Sequence, residues 1–194
     1  MPQAEETDDK TKDDDDDLQR KLLDTRSVVI SQGIDSELVR KVINQLLLLE
    51  SMDGDEPVRV FLNSPGGSAD GGFAIYDMLR FIKPPVVTIA AGLVASAASI
   101  ILLGTDRKNR VAFPNSRILL HQPSTHLQGV AADIEITAVE ILKLREKANK
   151  LIAEETGQTI DKVADDTNRD YWIGADEAIE YGLVSRIVRN HTDL

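Results

Sequence analysis

Apolar positions recur along the chain with two periods. From Asp35 to Met52 they fall at Leu38, Val39, Val42, Ile43, Leu46 and Leu47. That spacing lines one face of a helix, and Asp35 or Ser36 can cap its start. The same period predicts helices from about Asp70 to Phe81, over Ala132–Glu155 without a break, and over the shorter Ile160–Asp165 and Ala175–Tyr181. Leu18–Leu23 reads as a short helix leading into the first strand. Ser27–Ile30, Val58–Leu62, Val86–Ala90, Arg110–Phe113, Arg117–His121 and Leu183–Val188 read as strands. Turn residues separate them at Ser51-Met52-Asp53-Gly54-Asp55, at Asn63-Ser64-Pro65-Gly66-Gly67, at Pro84-Pro85 and at Pro114-Asn115. Gly92 turns the chain into a further helix that begins near Ser96. Strands alternate with helices, which predicts an α/β fold with mainly parallel strands. No internal repeat is present.

Composition narrows the function classes. The 194 residues fit one domain with a sizeable core. Cysteine is absent, which removes disulfides, thiolate metal sites and a Cys-His protease. The longest apolar stretch, Pro84–Leu103, reaches membrane-spanning length. Ser96, Ser99 and two prolines interrupt it, and its Ala and Gly content suits a buried strand and helix, so no membrane association is expected. The formal charge of −11 is uneven: residues 1–17 hold nine acidic and two basic residues. This segment is too charged to fold alone and reads as a solvated tail, with a propeptide or an electrostatic gate as sharper alternatives. Residues 18–194 are expected to form a single domain. No secretory h-region precedes them, and the acidity argues against a mitochondrial transit peptide, which leaves a cytoplasmic protein as the expectation. Overall acidity argues against nucleic-acid partners.

Three residues in distinctive settings suggest chemistry. Ser96 lies in Gly92-Leu93-Val94-Ala95-Ser96-Ala97-Ala98-Ser99, His121 ends Ser116-Arg117-Ile118-Leu119-Leu120-His121, and Asp170 lies in Asn168-Arg169-Asp170-Tyr171-Trp172. A nucleophile, a base and an acid that orients the base are the parts of a Ser-His-Asp triad. Each has a plainer reading. Ser96 could only cap a buried helix, His121 could sit satisfied at a strand end, and Asp170 could pair with Arg169. Ser99 is the rival serine, His126 and His191 are the rival histidines, and Asp161, Asp165, Asp166 and Asp176 crowd Asp170. Pro65-Gly66-Gly67 is an ordinary tight turn by itself. No Gly-Lys-Ser/Thr follows it, so it is not a phosphate loop.

Taken in order, the segments Asn63-Ser64-Pro65-Gly66-Gly67, the surroundings of Ser96, Ser116–Pro123, Gln128-Gly129…Asp133–Ile136 and Glu180–Val184 resemble the ClpP family, the proteolytic subunits of ATP-dependent caseinolytic proteases. The likeness runs from about Leu18 to Val188. It implies a crotonase-like α/β fold whose long helix protrudes as a handle between two rings. It implies a serine endopeptidase acting on unfolded polypeptides inside a barrel, with Ser96, His121 and Asp170 catalytic. Backbone N–H groups of Gly67 and Ala97 would form the oxyanion hole. Ser68, Ala69, Pro123, Ser124 and Thr125 would flank a substrate bound as an added strand. No metal or organic cofactor is implied. The implied partners are further copies or a paralogue, forming two stacked seven-membered rings, and an AAA+ unfoldase ring of the ClpX, ClpA or ClpC type.

The chain departs from the family pattern in three places. Ala97-Ala98 stands where Met-Gly usually follows the nucleophile, Asn168 replaces an acid before Arg169-Asp170, and the acidic segment replaces an apolar axial loop. These departures motivate a second reading, a dormant structural or regulatory subunit of a mixed complex. A third, an acyl-CoA enzyme on a crotonase-like fold, would need no triad.

Overall fold

A computed structural model describes residues 20–52, 55–125 and 128–194. Of the segments read from sequence, the acidic segment 1–17, the first two residues of the Leu18–Leu23 helix, Asp53-Gly54 of the Ser51–Asp55 turn and His126 lie outside the described residues.

The strands are β1 (Ser27–Ile30), β2 (Val58–Ser64), β3 (Val86–Ala95), β4 (Arg110–Ala112), β5 (Arg117–Leu120), β6 (Tyr171–Gly174) and β7 (Arg186–Ile187). The helices are α1 (Ser36–Met52), α2 (Ala69–Phe81), α3 (Ala97–Leu102), α4 (Ala131–Thr156), α5 (Ile160–Asp166) and α6 (Ala175–Tyr181). Residues 20–24 are also helical. One sheet runs β1-β2-β3-β4-β7, all parallel, while β5 leaves the path to pair with β3 and β6. Every pairing among these strands is parallel except β5 with β6.

The core explains the patterning. On α1 the buried residues are Leu38, Val42, Leu46 and Leu49, a single stripe at helical spacing. They join Val28, Ile30, Val58, Val60 and Leu62 from the sheet and Ile75, Leu79, Ile101 and Leu102 from α2 and α3. Alternate residues of the strands turn to the other face, where Ile89, Val111 and Val188 are covered by Phe61, Val87 and Phe113. The stretch Pro84–Leu103 is therefore strand and helix. Among the described residues no helix is long and apolar enough to cross a membrane.

Several elements differ from the sequence expectation. Strand β3 continues past Ala90 to Ala95, because its second half finds a new partner: residues 88–90 pair with β4 and residues 93–95 with β5. The final strand contracts to Arg186–Ile187, since β4 is only three residues long and offers no further ladder. Strand β6 has no counterpart among the elements predicted from sequence. It forms because Tyr171-Trp172-Ile173, with high β propensity, lies antiparallel along β5. Helix α4 spans 26 residues, one residue longer at each end than expected, and its αL cap is Gly157.

Candidate active site

Strand β3 delivers Ser96. The Ser96 N–H donates to the Leu119 carbonyl at 2.9 Å, which extends the β3–β5 ladder by one bond. The chain then turns sharply into α3. Ser96 takes φ 56° and ψ −124°, a conformation that non-glycine residues rarely adopt. Such backbone strain costs about 1–3 kcal/mol and gathers at functional sites. The buried rival Ser99 is committed elsewhere, its hydroxyl donating to the Ser96 carbonyl at 2.6 Å.

Strand β2 delivers the glycine turn. Ser64 pairs with Val94, so the following Pro65-Gly66-Gly67 lies alongside the end of β3. Gly66 has φ +89° and Gly67 φ +145°. A Cβ on Gly66 would meet the Ala95 carbonyl at 2.5 Å and the Ser96 Cβ at 2.7 Å. The turn thus needs glycine both for its conformation and for its closeness to Ser96. The Gly66 carbonyl accepts from Ile34 N–H, and the Gly66 N–H donates to the Ser64 hydroxyl. The N–H groups of Gly67 and Ala97 have no protein acceptor among the described residues. For Ala97 the reason is its place as first residue of α3, where an N–H has no partner within the helix.

Strands β5 and β6 bring the other two residues together. Their register pairs Leu120 with Tyr171, and continuing it by one residue sets His121 opposite Asp170. His121 Nδ1 lies 3.3 Å from Asp170 Oδ1. No other carboxylate among the described residues comes within 4.0 Å of this imidazole. Beyond the strand end, Gln122 locks the two segments: its N–H donates to the Thr167 carbonyl at 2.7 Å, and its amide donates to the Asn168 carbonyl at 2.7 Å. Among the rival acids, Asp166 is occupied by Lys162 and the Tyr181 hydroxyl. His191 sits in a C-terminal turn, exposed and apart from this cluster.

A cleft of about 320 Å³ joins these parts. Ser96, Ala97, Gly67 and His121 line it, and so do Ser68, Ala69, Pro123, Ser124 and Thr125. All the residues expected to hold substrate therefore share one cavity with the expected nucleophile and base. Asp170 stands behind His121, outside the cleft lining. The cleft continues into an apolar end made by Phe73, Ile100, Leu144, Ala148 and Ile152, which the sequence analysis missed. The i, i+4 spacing of Leu144, Ala148 and Ile152 marks one face of α4 and was the available signal. Among the described residues no group of three or more His, Asp or Glu could hold a metal ion.

Chemically, the imidazole at 3.3 Å from a carboxylate can keep one tautomer, with Nε2 left to exchange a proton with a hydroxyl. Free N–H groups beside that hydroxyl can stabilise an oxyanion.

A family model for Clp protease matches residues 10–191. The chain belongs to the Clp protease family. It is 53% identical over 190 residues to ATP-dependent Clp protease proteolytic subunit 2 of Treponema denticola, covering 98% of this chain and 94% of that one. It is 48% identical to proteolytic subunit 3 of Rhizobium etli, covering 98% of each chain. The solved structure of a ClpP1 mutant from Listeria monocytogenes superposes with a TM-score of 0.83 at 44% identity, covering 90% of this chain and 98% of that one. The α/β fold expected from sequence is thus the Clp protease fold, and the family is one of serine-type endopeptidases.

Proposed function

We propose that this chain is an active serine endopeptidase subunit in which Ser96 attacks the scissile carbonyl. His121 takes the hydroxyl proton and returns it to the leaving amine, and Asp170 holds the His121 tautomer. The Gly67 and Ala97 N–H groups receive the oxyanion, and water then releases the acyl-enzyme. The observation that carries this reading is the meeting, in one cleft, of a strained serine, an imidazole backed by a carboxylate, and two unpaired N–H donors. Segments 68–69 and 123–125 flank the cleft and suit a polypeptide bound in extended form through its main chain. Unfolded polypeptides are the fitting substrates, because only an extended chain can reach a narrow cleft along its backbone. We read residues 18–194 as one peptidase domain. The assembled enzyme would be two stacked seven-membered rings, of this chain alone or with a paralogue, fed by an AAA+ unfoldase in the cytoplasm.

Fluorophosphonate labelling of the purified chain, with the modified residue mapped by mass spectrometry, tests the proposal. Label on Ser96, lost in Ser96→Ala, is the expected result. Absence of label in an assembled, folded sample would sink it and favour a dormant structural subunit. One observation favours that second reading: Ser96 and His121 share no hydrogen bond here, though both line the cleft. Catalytic hydrogen bonds commonly tighten only when substrate is bound.

A further inference from the structure

The cleft has two helical walls, and they belong to distant parts of the chain. Phe73 comes from α2; Leu144, Ala148 and Ile152 come from α4. Helix α4 is about 39 Å long at 1.5 Å per residue, yet it buries only Asn149, Ile152 and Thr156. Its attachment is therefore concentrated in its last turns, where the cleft-lining residues also fall. Ile152 is buried there, and Leu144, Ala148, Leu151 and Ala153 pack partly buried against the core. Such contacts are non-directional, so directional polar ties set the exact place of this wall.

Glu155 gathers those ties. Its Oε1 accepts from the Tyr76 hydroxyl at 2.6 Å and from Arg80 Nη1 at 3.1 Å, both on α2. Its Oε2 accepts from Arg110 Nη2, and its carbonyl accepts from Arg110 Nη1 at 2.9 Å. Arg110 is buried at the head of β4 and is fixed in turn by the Thr105 carbonyl, through Nε at 2.8 Å and Nη2 at 2.6 Å. A charged acceptor with three donors holds its geometry better than a lone pair does. Tyr76 stands three residues after Phe73, on the same helix face. Lys147 adds a second tie between the walls, its ammonium 3.9 Å from the centre of the Phe73 ring.

We propose that Glu155, through Tyr76, Arg80 and Arg110, is a positioning residue that fixes the gap between α2 and α4 and so sets which substrate side chain the apolar end of the cleft accepts. The inference rests on the peptidase reading above. Glu155 does not touch substrate; it holds the wall that does. Loosening it changes selectivity between large and small apolar side chains, whereas a purely structural role would slow both alike.

The test uses two diphenyl phosphonates, one with the leucine side chain and one with the alanine side chain, reacted with the full-length protein. The rate of Ser96 modification is followed by mass spectrometry. Wild type is expected to favour the leucine probe. Tyr76→Phe, which keeps the ring and removes one donor, is expected to narrow that preference by about 10-fold, the low end of what one methylene of fit is worth in an apolar pocket. Glu155→Gln is expected to narrow it further, but it leaves buried Arg110 beside a neutral amide and endangers the fold, so Tyr76→Phe is the deciding variant. An unchanged ratio in Tyr76→Phe, with both rates equal to wild type or equally lowered, overturns the inference and leaves the peptidase reading standing. Failure of both probes to modify wild type overturns the peptidase reading and this inference with it.

Discussion

Ser96 combines a place in the cleft with a backbone that a serine adopts at a cost. Its φ of 56° and ψ of −124° match the first central position of a type II′ turn, where glycine is at ease. Ser96→Ala should therefore keep the strain, and Ser96→Gly should relieve it. We expect Ser96→Gly to be more stable than Ser96→Ala by about 1 kcal/mol or more. Thermal melts of the two variants check this, and equal or reversed melting temperatures would show that the turn is not strained. Asp170→Asn keeps the shape of the pair and removes the charge that fixes the imidazole. It should lower turnover by about 10⁴, as in the comparable serine protease change; a loss under tenfold would make Asp170 dispensable. At this scale the sequence was legible by order and setting. Ser96 and His121 stand in distinctive segments. Asp170 was singled out among neighbouring acids by the family resemblance and not by its own surroundings, because what selects it is the β5–β6 register, a long-range contact.

At the scale of elements, the glycine turn after β2 is the tightest fit. Gly66→Ala would drive a methyl group into the Ala95 carbonyl and the Ser96 side chain. These are backbone or backbone-near atoms that cannot swing aside. The variant should lose more than about 1 kcal/mol and most of its labelling at Ser96; a variant as stable and as reactive as wild type would refute the close approach. The tie between α2 and α4 has its own signature. Burial, and then the Glu155 carboxylate, push Tyr76 up from 10.0 to about 12. A phenol whose folded pKa is raised gives stability that is full below the unfolded pKa. That stability is lost as pH rises from 10 towards 12. Tyr76→Phe should flatten the fall in stability across that window, read by denaturant unfolding at several pH values, and an identical slope would argue against the bond. Helices α1, α2 and α4 were legible because their apolar stripes are long. Strand β6 was not, because four residues carry too little periodicity and its partner lies far away in sequence. The reach of β3 to Ala95 was hidden for the same reason, since its second partner appears only in three dimensions.

The whole molecule leaves large apolar groups uncovered. Phe81 is 73% exposed, and α4 presents Ile136 and Leu142 at 65% and 57%. Surface of this kind, spread along a projecting helix, marks contacts between subunits. Sedimentation velocity should show the protein well above its 21.3 kDa chain mass, and a persistent monomer would mean that a different chain must cover these faces.

The antiparallel pairing of β5 with β6 has a topological consequence. It zips together the two ends of a long excursion, residues 122–169, so His121 and Asp170 meet at its closed neck whatever happens at its far end. The length of α4 beyond the cleft is therefore a free variable. Removing two turns there, about 7 residues ahead of Ile141, should leave labelling at Ser96 intact while altering assembly. Chemistry and architecture would then be adjustable one at a time within a single chain.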